Sequence, residues 1–262
     1  MLVSGGSAGL GLEIAKVFAA ADDDVVLVGR SAERLEQAAA QVTRRDGTPA
    51  TALVADVTRQ TDCLRLAEEV RQRFGQLHAL INCVGASDRG RVQELTASRV
   101  HELIDVNVVA ALQCSNAMLP LLEASHGSIV NIGSLAGKVG ARYLGGYNLA
   151  KHALTGMTQQ LRLELRPRGV HVGLVSPGPI RRADAGTRYA DRTAGSLPEK
   201  AGRPGGGTKV KGLPPERVAR AVYMCVQRRT PDVILPGYLR WLIAVGHASP
   251  PLGDWLLLKF TS

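Results

Sequence analysis

"VSGGSAGLGLEIA", residues 3–15, carries an apolar stub into a glycine-rich turn and then into residues with helical spacing. Leu2–Val3 reads as the end of a strand and Leu12–Ala21 as the helix after it. In such a strand–turn–helix unit, Gly5, Gly9 and Gly11 permit a tight turn, close approach of backbone to a pyrophosphate, and close helix packing. The free N–H groups at the helix start suit phosphate oxygens. Ser7 and Leu10 lie in the same turn and are expected among the cofactor contacts. Glycines also serve plain turns, so the rest of the chain has to support this reading.

Outward from that turn, short apolar runs alternate with helical stretches. Strands are expected at Val25–Val28, Thr51–Ala55, Ala79–Val84, Ser128–Ile132 and Val170–Ser176. Helices are expected at Ala32–Arg44, Thr61–Phe74, Arg99–Leu122 and Tyr147–Arg166. Continuous apolar strands between helices describe βαβ units: an α/β fold with a doubly wound parallel sheet covered on both faces. No repeat or linker interrupts the pattern before Pro177, so residues 1–262 are expected to form a single domain. Residues 179–213 are rich in Gly, Arg and Pro and have little periodicity, which marks a substrate loop or lid. Pro214–Arg229 resumes as a helix. Residues 237–262 form an apolar C-terminal extension holding both tryptophans.

The net charge of +9 is not arranged for nucleic acid: aromatics are only 4% of the chain, and no basic stripe is interleaved with them. Positive charge is dense over Arg181–Arg229 and suits an anionic ligand or a membrane surface. Cys63, Cys83, Cys114 and Cys225 stand far apart, which argues against a metal site or disulfide framework and for a reducing, cytoplasmic setting. No signal peptide is read before the first glycines, and no apolar run is read as a membrane span.

The second strand runs into "VLVGRSAER", residues 26–34. An acidic residue there selects a ribose 2′-hydroxyl, whereas an arginine accommodates a 2′-phosphate. Arg30 stands there, with Ser31 and Arg34 beside it, so NADP(H) is expected over NAD(H). Further along, "GGYNLAKHAL", residues 145–154, puts Tyr147 and Lys151 one helical turn apart. A lysine ammonium at that distance stabilises a phenolate and makes tyrosine a usable acid and base near neutral pH. On spacing alone, a solvated surface pair is the plainer reading.

Taken together and in order, these motifs resemble the short-chain dehydrogenase/reductase family across nearly the whole chain. "SGGSAGLG" at 4–11 is similar to its cofactor glycine motif. "ADV" at 55–57 resembles the turn whose Asp56, with Val57, meets the adenine. "NCVG" at 82–85 resembles its Asn-Asn-Ala-Gly element, bringing Asn82 and Gly85 to the cofactor. Asn107, Ser134, Tyr147 and Lys151, at spacings of 27, 13 and 4, match its catalytic tetrad. "SPGPI" at 176–180 resembles the segment beside the nicotinamide, with Pro177, Gly178 and Ile180 as contacts.

The resemblance implies that Tyr147 is the general acid in reduction and the base in oxidation. Lys151 is its electrostatic partner and holds the cofactor ribose, Ser134 binds the substrate oxygen, and Asn107 holds a water that relays protons to Lys151. It also implies a homodimer or homotetramer paired through helices 99–122 and 147–166.

The chain departs from the family in three places. Arg182 stands where a carboxamide-binding threonine is usual, with Thr187 as a substitute; Val84 replaces an alanine; and the first strand is short. The basic loop and apolar tail point to a hydrophobic small-molecule substrate with an anionic portion, as in reductases of ketolipids or 3-oxoacyl thioesters. Two alternatives stand beside this one: a catalytically idle dinucleotide-binding regulator, and a peripheral membrane protein whose tail pairs Trp and Leu with Arg240 and Lys259. A tail packed over the core or against a neighbouring subunit is an equal reading of the same residues.

Overall fold

The computed structural model describes residues 1–181 and 197–260. Seven strands form one parallel sheet in the order β3-β2-β1-β4-β5-β6-β7. They are β1 (Leu2–Ser4), β2 (Val26–Gly29), β3 (Thr51–Val54), β4 (Ala79–Asn82), β5 (Ser128–Ile132), β6 (His171–Pro177) and β7 (Asp232–Leu235). This is the Rossmann arrangement. The strand order reverses at β1, and ligands of such sheets bind outside the strand C-termini there.

Alternate side chains along each strand face opposite ways and build two cores. Val3, Leu27, Ile81 and Val130 meet α1 (Gly9–Ala19), α2 (Ala32–Ala39) and α7 (Pro215–Gln227) on one face. Leu2, Val26, Leu80 and Ile129 meet α3 (Gln60–Phe74), α5 (Ala110–Ala124) and α6 (Tyr147–Leu165) on the other. Short as it is, β1 pairs along its whole length with both β2 and β4.

Four expectations need correcting. Helix α2 stops at Ala39, because the chain beyond it turns into the Thr43–Pro49 bridge. The long helix expected at 99–122 is two helices, α4 (Ala97–Ile104) and α5, joined by a π turn at Asp105–Val109. Strand β7 was not expected: its "DVIL" is brief, and only Ile234 in it is buried. Finally, the stretch Ala97–Ala124 is long and apolar enough by composition to cross a membrane. Its Cys114, Met118 and Leu122 lie instead in the second core.

The expected loop has a fixed base. Arg181 N–H donates to Leu213 O (2.8 Å) and Leu213 N–H to Pro179 O (2.7 Å). Arg182 and Thr187 fall outside the described residues. After β7 come α8 (Leu239–Ala248) and α9 (Pro250–Phe260), which cross where a Cβ on Gly253 would lie 2.8 Å from Gly246 O.

Candidate active site

A cleft of about 1540 Å³ runs along the C-terminal ends of the strands. Its nucleotide end is shaped by backbone. Gly5 has φ +73°, and a Cβ on Gly11 would stand 2.2 Å from Gly5 O. Only glycine at both positions lets the turn fold under the first turn of α1. That helix has no side-chain cap at its N-terminus, so its first N–H groups face the cleft without a side-chain acceptor. A glycine cradle beneath an uncapped helix start fits the pyrophosphate of a dinucleotide. Ser7, Gly9 and Leu10 line the same end.

Arg30 is exposed at the end of β2 and lines the cleft beside Asp56 and Val57. Ser31 is engaged elsewhere, its Oγ accepting from Arg34 N at the start of α2. Burial pushes the Asp56 carboxyl up, but two hydrogen bonds from Thr58 and the nearby Arg30 charge outweigh it and hold the group below its ordinary range.

Asn82 is turned away from the cleft. Its Nδ2 donates to Asn131 Oδ1 (2.8 Å) and Ser115 Oγ (3.0 Å) under the sheet, and Asn131 in turn donates to Thr158. The side chain therefore ties β4 to β5, α5 and α6, which corrects its expected place at the cofactor. The residues after it, Cys83 to Gly85, do line the cleft.

The four expected catalytic residues are brought together in this one cleft. Tyr147 opens α6, and Lys151 lies one turn on with its Nζ 5.7 Å from the Tyr147 ring centre. Lys151 is buried, donates to Ile132 O (2.9 Å), and is pushed down by desolvation to about 8, against a smaller opposing effect from Cys83. At neutral pH it is still mostly an ammonium.

The π turn puts Asn107 in the cleft wall. Its Nδ2 donates to Leu103 O (2.9 Å) and Ala86 O (3.0 Å). Among the described residues its buried Oδ1 has no partner. A Cβ on Gly85 would stand 2.7 Å from that Oδ1 and 3.5 Å from Lys151 Nζ, so the two groups face each other across Gly85.

Ser134 follows β5, and its Oγ accepts from Ala136 N (3.1 Å) at the head of a short 3-10 turn. Asn148, next to Tyr147, donates to Ala136 O and Val139 O and fixes that turn against α6. Pro177, Gly178 and Ile180 also line the cleft, with Gly178 N–H bonded to Leu235 O of the unexpected β7.

Two further features complete the site. Leu239, Leu242, Ile243, Leu256 and Leu257 of α8 and α9 line the cleft, so the tail is a wall of the site. The stretch is apolar on every side, so spacing alone does not single these residues out. Arg89 is buried and donates to Ala201 O (2.7 Å) and Arg203 O (3.1 Å), holding the returning limb of the loop. Nothing in "ASDRG" announces that contact across more than a hundred residues.

A family model described as short chain dehydrogenase matches residues 1–193. The chain belongs to the short-chain dehydrogenase/reductase family. It is 30% identical to a ketoacyl reductase from Nostoc, over 97% of this chain and 86% of that protein. It is 28% identical to dehydrogenase/reductase SDR family member 7B of Danio rerio, over 90% of this chain and 77% of that protein. Among solved structures, a short-chain dehydrogenase from Sphingobium yanoikuyae in complex with NADPH superposes with a TM-score of 0.74 at 29% identity, covering 97% and 94% of the two chains. This short-chain dehydrogenase/reductase is therefore an oxidoreductase that interconverts CH–OH and C=O groups of small molecules and binds NAD(P).

Proposed function

We propose that this chain is an NADP(H)-dependent reductase of hydrophobic ketones, lipid-like or 3-oxoacyl. The convergence of Tyr147, Lys151, Ser134 and Asn107 in a cleft with a leucine-lined wall carries the reading. Bound NADPH supplies the hydride. The chain's own residues orient the ketone and manage the proton. Ser134 accepts a bond from Ala136 N and keeps its own hydroxyl hydrogen for the substrate oxygen. Tyr147 delivers a proton to that oxygen as charge develops on it. Lys151, as an ammonium, stabilises the phenolate left behind and holds the cofactor ribose. Asn107 Oδ1 orients a water toward Lys151 Nζ, so the proton is replaced from solvent.

Arg30 pairs with a 2′-phosphate and sets the preference for NADP(H). Asp56 and Val57 meet the adenine, while Gly5, Ser7, Gly9, Leu10 and Gly11 hold the pyrophosphate. Gly85, Pro177, Gly178 and Ile180 bound the nicotinamide half. The NADPH complex of the Sphingobium yanoikuyae protein supports the cofactor choice, and the name of the Nostoc relative supports the substrate class.

Residues 1–262 act as one domain, with 179–213 the substrate loop and 237–262 an apolar extension that makes peripheral membrane contact in the cytoplasm. Exposed Leu112, Leu149 and Leu163 on α5 and α6 support a homodimer or homotetramer, which sedimentation tests. The deciding experiment is NADPH oxidation against ketones of increasing chain length, with Tyr147→Phe beside the wild type. A fall of about 10²–10⁴-fold in the variant, with NADPH binding intact, is expected. Cofactor binding with no turnover in either protein, across ketones and secondary alcohols, would favour an idle dinucleotide binder.

A further inference from the structure

The hairpin of α8 and α9 is apolar on both sides. Its inner side, with Leu239, Ile243 and Leu257, lines the cleft. Its outer side carries Trp241 (74% exposed), Trp255 (55%), Val245 (44%) and Leu252 (42%). A helix that is apolar all round is stable only when something apolar covers the second side. The composition says what kind of cover this is. Tryptophan beside basic residues is the pattern of the membrane–water interface. Arg240 follows that pattern, as does Lys259, whose Nζ sits 4.9 Å from the Trp255 ring centre. Lys209, at the cleft mouth, donates to Lys259 O at the end of α9 (2.9 Å), placing another cation at the same rim. Against these three cations the hairpin carries one acid, Asp254, which is exposed beside Trp255 and also lines the cleft. A rim of cations around exposed aromatics complements an anionic bilayer. Where the helices cross, Gly246 and Gly253 are in contact, and both line the cleft.

We infer that the hairpin is a loading port: its outer face seats in an anionic bilayer, and a long-chain ketone passes along it from lipid into the cleft. This inference rests on the hydrophobic-substrate reading above. Both tryptophans of the chain lie on the hairpin, so intrinsic fluorescence reports its seating directly.

The test compares wild type with Val245→Asp/Leu252→Asp, two outward positions. Each protein is given vesicles of phosphatidylcholine with phosphatidylglycerol, vesicles of phosphatidylcholine alone, and neutral detergent micelles, all carrying a long-chain ketone. The expected result is a blue shift of wild-type emission, strongest with phosphatidylglycerol, and wild-type NADPH oxidation about tenfold faster than the variant's on those vesicles. The two proteins should match on a short water-soluble ketone, which shows that the variant is folded. Three results overturn the port: no blue shift on any vesicle, equal rates on vesicle-borne ketone, or a dimer by sedimentation that the variant splits without vesicle binding. Inert long-chain ketone in detergent, with the short one turned over, sinks the substrate reading and the port with it; an unchanged blue shift would then mark a membrane contact without loading.

Discussion

The cleft lining at the turn from β1 into α1 is shaped by glycine and backbone, whereas the lining from α8 and α9 is largely leucine and isoleucine. The first has no slack: Gly11 packs its Cα against the carbonyl of Gly5. The second is a hairpin with its own Gly246–Gly253 crossing, tied to the rest of the chain by single bonds such as His247 Nε2 to Lys138 O (2.8 Å). A wall that must match an invariant nucleotide is built from covalent geometry. A wall that must take a chain of methylenes is built from adaptable side chains.

The largest break in that contrast should come from Gly11→Ala. Its methyl meets backbone that cannot swing aside, so NADPH affinity should fall by about 10²-fold, in line with about 1–3 kcal/mol of overpacking. Fluorescence titration of NADPH checks it, and an unchanged affinity would mean the turn is softer than its contacts imply.

Arg30→Asp should come next. It raises the KM for NADPH about tenfold or more and improves NADH relative to it, since a charge-assisted contact is replaced by repulsion. Steady-state kinetics with both cofactors reads the swap.

On the other wall, Ile243→Ala should raise the KM for long-chain ketones only about threefold. Neighbouring leucines can close over a cavity at a partly open site. NADPH binding should not move.

The smallest effect on the cleft itself comes from the opposite end of the sheet, where the readout is stability rather than binding. Burial holds the His171 imidazole down at about 4, against a weaker opposing bond to Thr230 O. Below its ordinary 6.5 the unfolded chain takes up a proton that the folded chain refuses. This contribution to stability is therefore complete above pH 6.5 and is lost as the pH falls toward 4. Melting temperature against pH should show that slope with or without NADPH, and His171→Gln should flatten it.

The same contrast explains what could be read in advance. The glycine turn, the strand–helix alternation and most of the expected residues that line the cleft between Gly5 and Lys151 are local patterns, and the sheet from β1 to β6 lies within a few residues of where the alternation puts it. Asn82 misled because its motif says which strand end it occupies but not which way its amide points. That choice was made by Ser115 and Asn131, distant in the chain. Strand β7 was illegible because an edge strand of four residues needs little apolar signal when β6 is already there to pair with it. The inner face of the tail hid within a stretch apolar on every side, where periodicity cannot say which face turns inward.

The π turn at Asp105–Val109 holds one residue more than an α-helical turn would, with Ala110 N–H reaching back to Asp105 O. In geometry it is equivalent to one extra residue set into an α-helix. Deleting one residue there would let α4 and α5 fuse into an uninterrupted helix and rotate α4 by about 100° relative to α5. Asn107 or its replacement would then leave the cleft wall, and the proton route would be lost to a gain in helical regularity.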